Sequence, residues 1–197
     1  MSGSTRSRVP VVEFDTARLK LRSLCESDAG LYFELYGDAQ TMRFIGPPLS
    51  QDRAVRAFRR TLGSTRCDPV KRLMLTVIDN AAQQAVGLCG IQQFNAQGHR
   101  AEAGIMLKPA AHAQGFGKEC LGALLARAFA MFSLDEIWAW TAADHFVAER
   151  VVIGVGFSPS SGPGDAGFGR RFWSAYRESW SHKTTAGRLP GDRTSVV

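Results

Sequence analysis

A carboxylate at position 102 and two glycines at 115 and 117 are the residues of this sequence best placed to do chemistry. Glu102 stands alone in the otherwise apolar stretch AEAGIMLKP (101–109). Burial disfavours charge, so a carboxyl group on such a strand titrates nearer neutrality. It then suits proton removal, directly or through water. The alternatives are a solvated strand end, or pairing with Arg100 or Arg22. Gly115 and Gly117 lie in HAQGFGKECLGALLARAF (112–129), directly before a run with helical spacing. A glycine loop that opens a helix aims free N–H groups and the positive end of the helix dipole at an anion.

Two common phosphate loops do not fit. A Walker A loop, GxxxxGK[ST], matches Gly117 and Lys118, but its first glycine falls on His112 and its hydroxyl on Glu119. A Rossmann fingerprint matches Gly115 and Gly117, but Cys120 takes its third small position. No acidic ribose ligand follows at the end of the next strand.

The elements that must position these residues follow from hydrophobic periodicity. ARLKLRSL (17–24) alternates as a strand. CESDAGLYFELYG (25–37) reads as a helix capped by Ser27 or Asp28. A second helix begins after Pro47 and Pro48 with Ser50 as N-cap and ends at Gly63. Residues 72–79, 85–94 and 101–109 read as strands, and the glycine loop then opens the longest helix. Leu121, Leu124, Leu125, Ala128, Phe129 and Phe132 mark that helix's buried face. EIWAWTA (136–142) is a strand that turns Trp138 and Trp140 to one face, which reads as core. A short helix breaks at Gly156, a short strand beside Phe157 is possible on this pattern, and RRFWSAYRESW (170–180) reads as a last strand. This order is α/β or α+β, with a mixed sheet and one βαβ crossover.

Composition sets the outer limits. The 197 residues suffice for one domain with a sizeable core. Residues 11–180 read as that domain, flanked by flexible tails over 1–10 and 181–197. No apolar run reaches the roughly 20 residues of a membrane span. MSGSTRSRVP lacks the apolar stretch of a secretory leader. Cys25, Cys67, Cys89 and Cys120 have no metal-binding spacing and read as reduced thiols of a cytoplasmic protein. The net charge is +6. Much of it comes from Arg6 and Arg8, and from Lys183, Arg188 and Arg193 against Asp192, so it argues weakly for nucleic acid.

The glycine loop resembles the pyrophosphate loop of the GNAT N-acetyltransferases, [QR]xxGx[GA], with His112 where that pattern has Gln or Arg. The resemblance extends over residues 14–180 and is closest to the RimJ/RimL-like subgroup. TARLKLRSLCESDAGLYFELYGDAQTMRFIG is similar to that subgroup's opening, AEAGIMLKP to its central strand, and HFVAERVVIGVGF to its NxxSxxvxxklGF helix. The resemblance implies a GNAT acyl-CoA N-acyltransferase fold. Its sheet is mixed and mostly antiparallel, with six to seven strands, about four helices, and central strands splayed by a bulge.

It also implies acetyl-CoA as co-substrate, no metal, and direct attack by a primary amine of a protein N-terminus or small molecule. Gln114, Gly115, Phe116, Gly117 and Lys118 would hold the phosphates, and Ile105, Met106 and Leu107 would line the pantetheine cleft. Glu102 would be the base. His145, at the family's asparagine position, would bond the pantetheine or protonate the thiolate. The family's serine is Ala148 here, which leaves His145, water or Tyr176 as the acid. The TMRFIGPP segment and the 158–167 loop would flank the amine, with Asp165 a further candidate partner. A monomer or homodimer without membrane contact is expected. The rival readings are a non-catalytic acyl-CoA-binding module of the same fold, and a nucleic-acid or ribosome-binding protein using its basic tails.

Overall fold

The computed structural model describes residues 11–65, 72–95, 97, 99–162 and 169–184. Cys67, Asp165, and the charges at Arg6, Arg8, Arg188, Asp192 and Arg193 lie outside the described residues.

Alternation builds the sheet, because odd and even residues of a strand face opposite sides. One face is made by Leu19 and Leu21 of β2 (Leu19–Ser23), Leu75 and Val77 of β3 (Leu73–Asp79), and Cys89 and Ile91 of β4 (Gln84–Gln92). Ala101 and Ala103 of β5 (Arg100–Leu107) and Ile137 and Ala139 of β6 (Glu136–Ala142) continue it. The longest helix, α4 (Phe116–Met131), covers this face with Cys120, Leu121, Leu124, Leu125 and Ala128, each at most 2% exposed. On the other face Leu88 meets Leu31, Tyr32 and Leu35 of α1 (Ala29–Gly37) and Phe58 and Leu62 of α3 (Gln51–Thr65).

The sheet has eight strands in the order β1-β2-β3-β4-β5-β6-β8-β7, and only β5 and β6 pair in parallel. The fold is α/β with a mostly antiparallel sheet, and the described residues form six α-helices, more elements than the sequence suggests. β1 (Glu13–Asp15) is an added strand of three residues, β7 (Ser158–Ser160) is the short strand foreseen beside Phe157, and α2 (Ala39–Met42) is an added single turn. The expected strand over 170–180 stops as β8 (Arg170–Tyr176) and continues as α6 (Arg177–Thr184). Arg177 turns the chain there: its Nε donates to the Leu134 carbonyl at 2.7 Å and its Nη2 to that of Phe132 at 2.6 Å. The second helix runs past Gly63 to Thr65. α5 (Phe146–Gly154) follows β6.

Among the described residues the register of the sheet shifts between Val77 and Ile78 on the β3–β4 ladder, not on β5. The β4–β5 ladder runs unbroken from Gly87↔Leu107 to Gln92↔Glu102. It closes only because residue 87 is glycine, since a Cβ there would run into the Met106 carbonyl.

Asp28 makes no side-chain cap on α1. It follows a 3-10 turn (Glu26–Asp28) and points inward, 5% exposed. Its carboxylate accepts both Arg22 Nη groups at 2.7 Å, the Thr76 hydroxyl at 2.9 Å and the Cys25 N–H at 2.9 Å. Burial opposes the charge, but Arg22 and these donors outweigh it and hold the carboxyl below its usual range. The stabilisation is therefore present above the ordinary carboxylate pKa and lost as pH falls below it. Asp28→Ala strands those donors and should cost about 3 kcal/mol. Thermal melts at pH 7 should show Tm lower by about 6 to 12 °C. An unchanged Tm would mean the network contributes nothing.

Candidate active site

The cleft begins where two strands part. β5 and β6 pair only at Arg100↔Glu136, Ala101↔Ile137 and Glu102↔Trp138. From Ala103 to Leu107, β5 keeps only β4 as a ladder partner. Lys108 N–H donates to the Val86 carbonyl at 2.8 Å. The unbroken register then bonds Met106 to β4 and turns the N–H and C=O of Ile105 and Leu107 toward the gap. The gap runs about 17 Å from Glu102 to Leu107 at 3.3 Å per residue. Of the three residues expected to line it, Ile105 and Leu107 present backbone groups, and Met106 does not.

At the open end of the gap the chain makes a 3-10 turn (Pro109–Ala111) and enters the glycine loop. Gly115 is the N-cap of α4 at φ +80°, a conformation glycine takes without strain. No side chain caps it, so the N–H groups of Phe116, Gly117 and Lys118 lack intrahelical acceptors. Side chains in the loop are used internally. His112 Nε2 meets the Leu107 carbonyl at 3.0 Å, and Gln114 Nε2 donates to the Ala110 carbonyl at 2.8 Å. The Lys118 stem crosses Gly154 of α5. The arrangement leaves backbone N–H groups free at a helix N-terminus, a geometry that suits an anion.

Sequence reasoning missed what anchors this loop. Arg18 Nη1 donates to the Gln114 carbonyl at 2.8 Å and its Nε to Glu119 Oε2 at 2.7 Å, with its guanidinium 4.9 Å over the Phe116 ring. The Thr16 hydroxyl donates to Glu119 Oε1 at 2.6 Å. The Glu119 carboxyl is half-buried, and its donors Thr16 and Arg18 outweigh that burial and lower its pKa. Ala113 also adopts a positive φ, +59°. The signal lay in TARL at 16–19, which supplies both anchoring side chains.

Glu102 occupies the apex of the split and is 5% exposed. Its Oε1 accepts a long bond from Gln92 Nε2, 3.4 Å, and its buried Oε2 has no hydrogen-bond partner among the described residues. Burial raises its pKa. Gln92, the Trp140 indole N–H, which faces the carboxylate without reaching hydrogen-bond geometry, and the Arg170 charge partly offset the shift. Neither ion-pair alternative holds, because Arg22 serves Asp28 and Arg100 Nε sits 2.7 Å from Glu136. Glu102 opens onto a pocket of about 320 Å³ with Gln93 and Asn95 on one side and Trp138, Trp140 and Phe172 on the other. Trp138 is buried as expected, 6% exposed, and with Trp140 it also forms pocket wall. Arg100 and Arg170 complete the lining.

His145 is the N-cap of α5, at the open end of the gap, and is not part of the Glu102 pocket. Its ring stacks on Phe44 of the TMRFIGPP segment, centroids 4.0 Å apart and planes 11° apart. Burial lowers its pKa first; His112 and Arg43 add to this and Asp144 opposes it, which favours the neutral imidazole. Tyr176 stands opposite Glu136, beyond the Glu102 row, and does not line the pocket. Cys89 and Cys120 are buried side by side. Their mutual contact and burial push the Cys120 thiol up, which makes it unreactive. Among the described residues no helix is long and apolar enough to cross a membrane, and no group of three metal-ligating side chains gathers.

The family model for the acetyltransferase (GNAT) domain matches residues 18–158. Solved structures of the same architecture include a GNAT-family acetyltransferase from Bacillus anthracis, with TM-score 0.69 and 18% identity, covering 85% of this chain and 99% of that one. Spermidine N-acetyltransferase from Vibrio cholerae, in complex with CoA and spermine, aligns with TM-score 0.73 and 17% identity over 84% of this chain and 99% of that one. A ribosomal L7/L12 alpha-N-protein acetyltransferase in complex with coenzyme A aligns with TM-score 0.71 and 14% identity over 88% and 99%. No curated protein sequence matches the chain.

Proposed function

The chain belongs to the GNAT acetyltransferase family, and from that premise we propose that it moves an acetyl group from acetyl-CoA to a primary amine in a ternary complex, as a cytoplasmic enzyme of the RimJ/RimL-like subgroup. The observation that carries the reading is the position of Glu102. A buried carboxylate with an unpartnered oxygen stands at the apex of a strand split, and the far end of that split is an anion cradle.

Acetyl-CoA supplies the activated thioester. The N–H groups from Gln114 to Lys118 hold its phosphates, with Arg18 fixing the loop. Ile105 and Leu107 offer backbone groups to the pantetheine arm, beside the Met106 side chain. An N–H in the gap facing the thioester oxygen would contribute about 3 kcal/mol to the transition state. Glu102 takes the proton from the incoming ammonium, directly or through water, so that the neutral amine attacks. His145, at the α5 side of the gap, donates a ring N–H hydrogen bond to the pantetheine or to the departing sulfur, and the thiolate takes up the proton that the amine nitrogen sheds as the amide forms, directly or through water. The acceptor is the amine of a protein N-terminus or a small molecule.

A thermal melt with acetyl-CoA, ATP and NAD tests the cofactor half of the proposal. A ligand at 100 times its Kd adds about 2.7 kcal/mol. For a domain of this size that raises Tm by about 5 to 10 °C. A rise with acetyl-CoA alone is expected. A rise with ATP or NAD, and none with acetyl-CoA, would contradict it.

A further inference from the structure

We propose that the acceptor carries a carboxylate as well as its amine, with the amine at Glu102 and the carboxylate at Arg170. The inference rests on the acetyltransferase reading and narrows its substrate class. Three charged side chains line the pocket: Arg100, Glu102 and Arg170. Arg100 is spent, since both its Nε and Nη2 engage Glu136. Glu102 and Arg170 remain, and no carboxylate of the described residues lies within ion-pair distance of Arg170. Its exposed guanidinium stacks 4.0 Å over the Trp140 ring. A guanidinium anchored over a ring yet exposed can offer its planar fork of N–H donors, which recognises a carboxylate in two-pronged fashion. The next residue, Arg171, is instead neutralised by Glu149 at 2.6 Å.

The register supplies the spacing. Glu102 pairs with Trp138, Trp138 with Ser174, Trp140 with Phe172 and Ala142 with Arg170. Trp140, beneath the guanidinium, is one same-face step from the Glu102 row, about 7 Å along the strand. An extended chain covers that distance in about two residues. An N-terminal amine followed closely by an acidic side chain has this span. A polyamine does not suit the pocket, because its second ammonium would meet Arg170.

The test uses three peptides that share a free N-terminal alanine and an amidated C-terminus, and differ only in a second residue of glutamate, glutamine or lysine. Acetylation (kcat/KM) and binding by calorimetry are both measured on the full chain. Wild type should favour the glutamate peptide over the glutamine one by about tenfold, the worth of one charge-assisted hydrogen bond. The lysine peptide should be poorest. Arg170→Gln should abolish the preference, and Arg170→Glu should invert it toward lysine. Arg171→Gln, which changes the neighbouring charge, should leave it intact. An acid preference in binding without turnover would keep this proposal and sink the catalytic reading. Equal treatment of the peptides in both measurements, or a preference that survives Arg170→Gln, would overturn it.

Discussion

Glu102→Gln will lower kcat by about 10²- to 10³-fold at neutral pH while leaving acetyl-CoA affinity unchanged, because a positioned general base contributes on that scale. Glutamine keeps the shape and the contact with Gln92 but cannot take a proton. The pH profile separates this role from a structural one. Burial raises the Glu102 pKa, so wild-type kcat should climb with pH through a carboxyl pKa above the ordinary value. The variant should lose that acidic limb.

Stability should move the other way. A carboxyl whose pKa is raised in the fold favours the folded state only while protonated. Its charge is a cost once the pH exceeds that raised value. At pH 7 to 8 the variant should therefore melt above wild type, and at pH 4 the two should coincide. Slower catalysis with higher Tm is the signature of a strained catalytic group. Unchanged turnover would remove Glu102 as base. A non-catalytic acyl-CoA-binding module would have no use for a buried carboxylate with one oxygen left without a partner, which costs stability wherever it is kept.

Gly117→Asp should weaken acetyl-CoA binding by about 30- to 100-fold, since facing like charges across a binding site costs a few kcal/mol. Gly117 is the second residue of α4, and a Cβ there would sit 3.6 Å from Val151 Cγ2, an ordinary contact. The fold therefore tolerates the side chain, and Gly117→Ala is the matched control that should bind nearly as wild type. A carboxylate in a first helical turn favours the helix by about 0.3 to 1 kcal/mol. Tm without ligand should thus be equal or higher while Kd rises. Titration calorimetry and melts of the two variants read both quantities. Equal Kd values for the alanine and aspartate forms would mean the phosphates lie elsewhere.

What was legible in the sequence is what local physics dictates. The glycine pair before the longest helix announces the N-terminus of α4, because only glycine adopts φ +80° without cost. The lone glutamate in AEAGIML stands out on chemistry alone. β1 is too short to show a period of two and exists through its pairing with β2. The positive φ of Ala113, the grip of Thr16 and Arg18 on Glu119, and the inward turn of Asp28 depend on partners distant in sequence or on tertiary constraint. Trp138 and Trp140 read as core because the period places them on one face. That this face carries a pocket depends on where α1 and α3 pack, over Leu88 and the strands beside it. RRFWSAYRESW alternates well into its seventh residue, and the turn at Arg177 comes from carbonyls 43 and 45 positions earlier.

The most direct test is to mix the protein with acetyl-CoA and a panel of primary amines, following free thiol and the mass of the amine together. Thiol release should require an amine, be matched one for one by acetylated product, and be lost in Glu102→Gln. Acetyl-CoA binding with no amine-dependent thiol release, for any amine in the panel, would contradict the acetyltransferase reading and leave a binding module.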